Sequence, residues 1–210
     1  MHIPKKFRQE NIEELLEIVQ QFPFATLVTC SDENVEAIHL PMLLKKMDED
    51  IFLTGHIAKT NSIWEKVDSG SEILVIFNGP NCYVSPNHYP TKTEHGKAVP
   101  TWNYVVVHAR GLVSFIHEPD WIYGHISELT SEHESKSARP WAITDAPKEY
   151  IRKMLPAVVG LEIKVASMIG QWKLSQNQPK INQQGVVEGL LSLEDPASQA
   201  IAAMVRSQTE

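Results

Sequence analysis

Ile12, Leu15, Leu16 and Val19 recur at helical spacing, and Asn11 stands three residues before Glu14 in a capping-box pattern, which predicts a first helix over 11–21. Beyond it the pattern shortens to strand-like runs. FATLVTC (24–30), VEAIHLPMLL (35–44) and IFLTG (51–55) are separated by polar turns at Ser31 to Asn34 and at Asp48 to Asp50. Short apolar runs joined this way mark an antiparallel meander. Pro41 removes a ladder donor from the second run, so that strand is expected at an edge, bulged or bent. SIWEKV predicts a short helix, and EILVIF (72–77) and CYVS (82–85) predict two strands around a Gly79-Pro80 turn.

The stretch from Pro86 to Lys97 has no periodicity and is expected to be a loop long enough for function. WNYVVVHARGLVSFIH (102–117) has the β-branched density of a long strand, with Gly111 marking a bulge or bend. Pro119 opens a helix to about Leu129, and Pro147 another to about Leu155. VVGLEIKVASMIGQWKLS (158–175) alternates as the last strand, the polar segment from Gln178 to Leu191 is ambiguous, and Pro196 opens a terminal helix. About six strands with helices gathered after the sheet imply an α+β fold built on an antiparallel barrel. The whole of 1–210 is expected to form a single domain, with a helical extension from about residue 178.

Composition narrows the function classes. A formal charge of −7, from 19 Lys and Arg against 26 Asp and Glu, opposes a whole-chain electrostatic grip on nucleic acid. Cys30 and Cys82 form no CxxC pair and fit a reducing cytoplasm; neither a signal peptide nor an apolar run of about 18 residues is expected. The chain has no GxGxxG, P-loop, GxSxG, HExxH or EF-hand pattern, which disfavours the common dinucleotide, nucleotide-hydrolase, serine-hydrolase and metal chemistries. No metal is expected from the spacing of its nine His.

Three segments carry candidate binding chemistry. In Thr54-Gly55-His56-Ile57-Ala58-Lys59-Thr60-Asn61 a strand passes into a short helix, and Thr54, His56, Lys59 and Asn61 supply the hydroxyl, amide and cation that a phosphate dianion needs. The alternative is a strand-to-helix loop with an Asn cap and a solvent-facing Lys. Trp102, Asn103 and Tyr104 offer rings to stack on a planar heteroaromatic group and an amide to read its edge, or else ordinary core packing. Gln171 to Asn177, with Lys173, Ser175 and Gln176, offers donors to an anion or ring, or else a turn cap after the strand.

Together with MHIPKKF, AIHLPMLL, YVSPNHYPTK and GLEI, the ordered segments GHIAKTN, VPTWNYVVVH and KLSQN resemble the PaiB-type family of FMN-binding split-barrel proteins from Met1 to about Leu191. The resemblance implies a six-stranded antiparallel split β-barrel with peripheral helices, FMN as cofactor, and a homodimer with the cofactor in the cleft between subunits. It implies negative transcriptional regulation of degradative-enzyme and sporulation-type genes. It also assigns Lys59 as the main phosphate partner with Thr54, His56 and Asn61 beside it, His39 and Pro41 along the flavin, and Trp102, Asn103, Lys173, Ser175 and Gln176 closing the site. The chain departs from the family pattern at His88, where an aromatic often precedes Tyr89, and at Thr60 and Ser62, where Ala and Pro are common. The alternative function is a flavin-dependent oxidoreductase with His88, Tyr89 and His95 of the long loop as proton donors; no catalytic residue is assigned.

Overall fold

The computed structural model describes residues 1–31 and 34–208, without the side chain of Ser31. The turn expected at Ser31 to Asn34 falls on Asp32 and Glu33, which lie outside the described residues. In chain order the elements are β1 (Arg8–Gln9), α1 (Ile12–Gln21), β2 (Phe24–Ser31), β3 (Asn34–Pro41), β4 (Leu43–Met47), β5 (Asp50–Ala58), α2 (Ile63–Lys66) and β6 (Glu72–Val84). They continue with α3 (Lys92–His95), β7 (Thr101–Ile116), α4 (Pro119–Glu134), α5 (Lys148–Met154), β8 (Val158–Lys173), α6 (Lys180–Leu191) and α7 (Pro196–Ser207). The sheet order is β3-β2-β6-β7-β8-β5-β4, with β1 beside β8. The α+β expectation holds, and the sheet has eight strands instead of six.

Two features add the extra strands. Arg8 and Gln9 pair antiparallel with Gln171 and Gly170. The apolar run 35–44 breaks at Met42, whose N–H donates to Pro23 O at 2.9 Å instead of continuing the ladder. Pro41 ends β3 on the sheet edge, as a residue without an N–H must.

The chain divides into two compact units. The first comprises Met1–Gln21, Phe77–His108 and Ile169–Glu210; the second comprises Phe22–Ile76 and Ala109–Met168.

In the first unit, Asn11 Oδ1 accepts the N–H groups of Glu13 (3.0 Å) and Glu14 (3.4 Å), capping α1. The return bond of a capping box comes from Gln9, whose Oε1 accepts the N–H of Asn11 at 2.8 Å. Leu15 and Leu16 of α1, Phe77 of β6, Val105 and Val107 of β7, and Leu190 of α6 are buried. Gly79 and Pro80 do not turn the chain; they lie buried inside β6. A Cβ on Gly79 would stand 3.1 Å from Val105 Cβ, so the missing side chain is what lets the strands approach.

The ambiguous segment from Gln178 becomes helix α6 through tertiary packing. Gly185 and Gly189 seat residues 88–90, and a Cβ at Gly189 would overlap the His88 imidazole. Thr91 donates both its N–H (3.3 Å) and its hydroxyl (3.0 Å) to Asn182 Oδ1 of α6. The expected long loop is thus partly ordered as a single 3-10 turn at Pro86–His88 and the short α3.

The second unit holds β2 to β5, α2, α4 and α5. Leu27, Leu53, Val75, Leu161 and Ile163 are among its buried strand residues, and Ile122 and Leu129 of α4 are buried as well. Gly111 of β7 makes room for the neighbouring strand β8, since a Cβ there would overlap the Lys164 carbonyl. α4 runs to Glu134, five residues past the expected end at Leu129.

Candidate functional site

β5 delivers the first candidate segment. Thr54 pairs across the ladder with Glu162 and Leu43 and is fully buried, with no hydrogen-bond partner for Oγ1. Gly55 permits a close approach of the β3–β4 break: its Cβ would lie 2.9 Å from both Leu40 Cδ1 and Met42 Sδ. His56 Nδ1 lies 3.2 Å from His125 Nε2 of α4, with the rings edge-on. Burial lowers the pKa of His56.

Past the strand end, Lys59 is exposed. Its N–H donates to Ala157 O at 2.8 Å and its carbonyl accepts Trp64 Nε1 at 3.0 Å, so its backbone is fixed while its ammonium group has no partner among the described residues. Asn61 Oδ1 accepts the N–H of Ile63 at 3.1 Å at the start of α2, leaving the Asn61 NH2 as a remaining donor. The solvent-facing Lys forms as in the alternative reading, but the N-cap of α2 is Ser62, and Asn61, one residue earlier, makes a turn bond onto Ile63 instead of capping the helix.

His39 faces elsewhere. It is exposed, contacts Thr26 Oγ1 at 3.0 Å through Nδ1, and stacks on Phe24 with centroids 6.4 Å apart. Alternation along β3 puts it on the opposite face from buried Leu40, the residue that meets Gly55. Pro41, half-buried, ends the strand.

In the first unit, Asn103, Lys173, Ser175 and Gln176 gather where β7 and β8 end, with only the backbone carbonyl of Trp102 among them. Asn103 is fully buried; its Nδ2 donates to Ser175 Oγ at 2.9 Å while its Oδ1 has no partner. Ser175 adopts φ 63°, the left-handed conformation that turns the chain after β8. Gln176 closes that turn, accepting the Leu174 N–H at 2.7 Å and donating to Trp172 O at 2.6 Å. Lys173 donates to Thr101 Oγ1 and, at 2.7 Å, to Trp102 O; burial lowers its pKa.

Alternation along β7 puts Trp102 and Tyr104 on the face opposite Asn103, so one ring cannot stack on the aromatics and meet the amide from the same side. Trp102 is 54% exposed and meets Tyr83 edge-on, with centroids 6.3 Å apart. A cleft of about 320 Å³ beside it is lined by Asn78, Gly79, Asn81, Trp102, Tyr104, Val105 and Val106.

The long loop offers little acid–base chemistry. His88 packs on Gly189 with Nδ1 buried and unpartnered, and burial lowers its pKa. Tyr89 is buried, and His95 Nδ1 accepts the Lys97 N–H at 3.0 Å. Residues that sequence reasoning missed are His125 and Trp121 of α4, whose rings stack at 5.3 Å and 16°. The one signal was a histidine in step with Ile122 and Leu129 on an apolar helix face. Among the described residues, no group of three or more His, Cys, Asp or Glu is placed to hold a metal ion, and no helix is long and apolar enough to cross a membrane.

FMN presents a phosphate dianion and a planar ring with several acceptors. In the second unit the exposed Lys59 ammonium has the charge that a phosphate dianion needs; in the first unit the cleft beside Trp102 has an uncharged aromatic and amide lining.

Residues 1–167 match the family model described as "Putative FMN-binding domain". The chain is 31% identical over 208 residues to the protease synthase and sporulation protein PAI 2 of Bacillus subtilis (strain 168), covering 99% of this chain and 98% of that protein. Among solved structures it is similar to a conserved hypothetical protein of Mycobacterium tuberculosis (TM-score 0.58, 12% identity, 85% of this chain and 94% of that one). It is also similar to an FAD and heme binding protein of Mycobacterium smegmatis (TM-score 0.55, 14% identity, 79% and 73%). These likenesses establish the split-barrel fold. With the family model covering most of the chain and PAI 2 matched from end to end, this chain belongs to the PaiB-type family of FMN-binding proteins.

Proposed function

We propose that this protein is an FMN-binding transcriptional regulator of the PaiB type, acting in the cytoplasm as a homodimer and lowering expression of degradative-enzyme and sporulation-type genes. The observation that carries this reading is the end-to-end match to PAI 2, which leaves almost no part of either chain unaccounted for. Lys59 is the charge partner of the FMN phosphate, assisted by the Asn61 amide, with Thr54 and His56 behind it on β5. His39 and Pro41 of the edge strand are proposed flavin neighbours as well, although His39 lies on the face of β3 opposite Leu40. In the first unit, Trp102 is the stacking residue, and Asn103, Lys173, Ser175 and Gln176 hold the strand and turn that carry it. FMN supplies electron transfer when bound; the chain supplies position and charge.

A formal charge of −7 makes direct DNA contact local or dependent on a partner. The second reading, a flavin-dependent oxidoreductase, is supported by the open cleft beside Trp102, which has room for a small planar molecule. It loses His88 as a proton donor, because that ring is packed against α6.

Titration of the purified protein with FMN, following flavin fluorescence and solution mass together, tests the proposal. One FMN per subunit in a dimer is expected, and absence of saturable binding would overturn it. NAD(P)H consumption with added FMN and an electron acceptor separates the enzyme from the regulator. A mobility assay at low salt that shows no preference over competitor DNA removes direct DNA recognition.

A further inference from the structure

We infer that His56 and His125 form an acid-sensitive latch that fastens α4 to β5 and, through β5, steadies the segment that carries Lys59. The latch has three layers. Gly160 of β8 leaves a flat seat, and a Cβ there would overlap the Trp121 ring. Trp121 stacks on His125 at 5.3 Å, and His125 meets His56 at 3.2 Å, the only polar contact of either ring among the described residues. His125 is 2% exposed, and its Nδ1 has no partner.

The contact forms with His125 neutral, whichever ring donates. One ring donates its N–H and the other accepts through a lone pair. If both rings are protonated, N–H faces N–H and the bond is lost. If His125 alone takes a second proton, a full charge sits in a buried place with a second N–H unsatisfied.

No neighbour offsets that charge. From β4 comes the Lys45 ammonium, which repels it, and the carboxylate of Glu128, one turn along α4, is already held by Lys45. Asp145, in the 3-10 turn Ile143–Asp145, accepts the Ala142 N–H. Leu155–Ala157 has no titratable side chain, and at Gly160 the β8 strand presents only backbone. Desolvation first, then His56 and Lys45, lower the His125 pKa to about 4.

The sign follows. The docked ring binds its proton less readily than a released one, whose pKa is about 6.5, so acidification favours release from pH 6.5 down towards 4. Between pH 7.5 and 5.0 the opening constant of α4 should rise about 30-fold. His56 lies three residues before Lys59 on the same chain segment, so release loosens the strand end. The consequence for cofactor affinity rests on the assignment of Lys59 to the FMN phosphate.

Hydrogen exchange of the full-length protein without flavin, at pH 7.5, 6.0 and 5.0 and corrected for intrinsic exchange, tests the latch. Amides of α4 should lose protection about 30-fold, and His125→Gln, which keeps a polar amide but cannot titrate, should reduce that response below about threefold. A wild-type change below about threefold, or an undiminished response in His125→Gln, overturns the latch. A variant-free check is NMR titration of the nine imidazoles. The latch requires one resonance still neutral at pH 5, and ordinary titration of all nine contradicts it. FMN affinity measured at pH 7.5 and 5.5 separates the two claims. Lack of binding at pH 7.5 refutes the cofactor assignment and leaves the exchange result to decide the latch on its own.

Discussion

The Gly55–Asn61 segment and the Asn103–Ser175–Lys173 cluster contain the same chemistry, a lysine with hydroxyl and amide neighbours, and use it in opposite ways. In the cluster each polar side chain is turned inward: Lys173 onto Thr101 and Trp102, Asn103 onto Ser175, Gln176 onto its own turn. In the segment the backbone is fastened by Ala157, Trp64 and the Asn61 side-chain turn, and the Lys59 ammonium is left to solvent. A polar cluster whose donors are consumed within the fold contributes stability. A cation on a fixed backbone with no partner is available to a ligand. Residue types alone do not separate these cases; where the partners lie does.

The contrast is sharpest in Lys59→Ala. It should weaken FMN binding about 10- to 100-fold, or roughly 1.5–3 kcal/mol, the range of a charge-assisted hydrogen bond. Its unfolding free energy should stay within about 0.5 kcal/mol of wild type, because an exposed side chain without partners is removed. Denaturant unfolding alongside flavin titration checks both. Asn103→Ala reverses the pattern. Removing the amide strands the buried Ser175 hydroxyl and costs about 1–3 kcal/mol of stability, visible as a lower denaturant midpoint.

Gln176→Ala should cost less, about 1 kcal/mol, since its two short bonds stabilise a half-buried turn. If it lowers FMN affinity without lowering stability, the turn contacts ligand directly and the contrast fails there. Lys66→Ala should have the smallest effect. Its exposed pair with Glu36, at 2.5 Å, is worth about 0–1 kcal/mol, and FMN affinity should not change. A loss of affinity equal to that of Lys59→Ala would mean that general positive charge, and not Lys59, attracts the phosphate.

Much of the fold was legible where local pattern and tertiary role agree. β7 follows from its β-branched run, and α1 from its apolar face and Asn11. The misread places depend on contacts distant in sequence. Gly79-Pro80 has turn chemistry, yet it lies within β6 because Val105 needs the space of the missing side chain. α6 carries Gly185 and Gly189, poor helix formers, because residues 88–90 rest on them. The break at Met42 depends on Pro23, far back in the chain.

The candidate site divides along the same line. The exposed Lys59 was readable as local chemistry, whereas the expected Asn61 cap is a turn bond one residue before the true N-cap, Ser62. The separation of Trp102 from Asn103 follows from strand alternation once β7 is established, and it was masked by reading adjacent residues as one cluster. The His56–His125 contact joins residues 69 apart, and no spacing rule within either segment announces it.

The most direct test of the central claim is calorimetric titration of FMN into wild type and Lys59→Ala at equal concentration and low salt. Saturable wild-type binding at one FMN per subunit, with affinity reduced about tenfold or more in the variant, is the predicted result. Equal affinity in the two proteins would contradict the assignment of Lys59 to the phosphate.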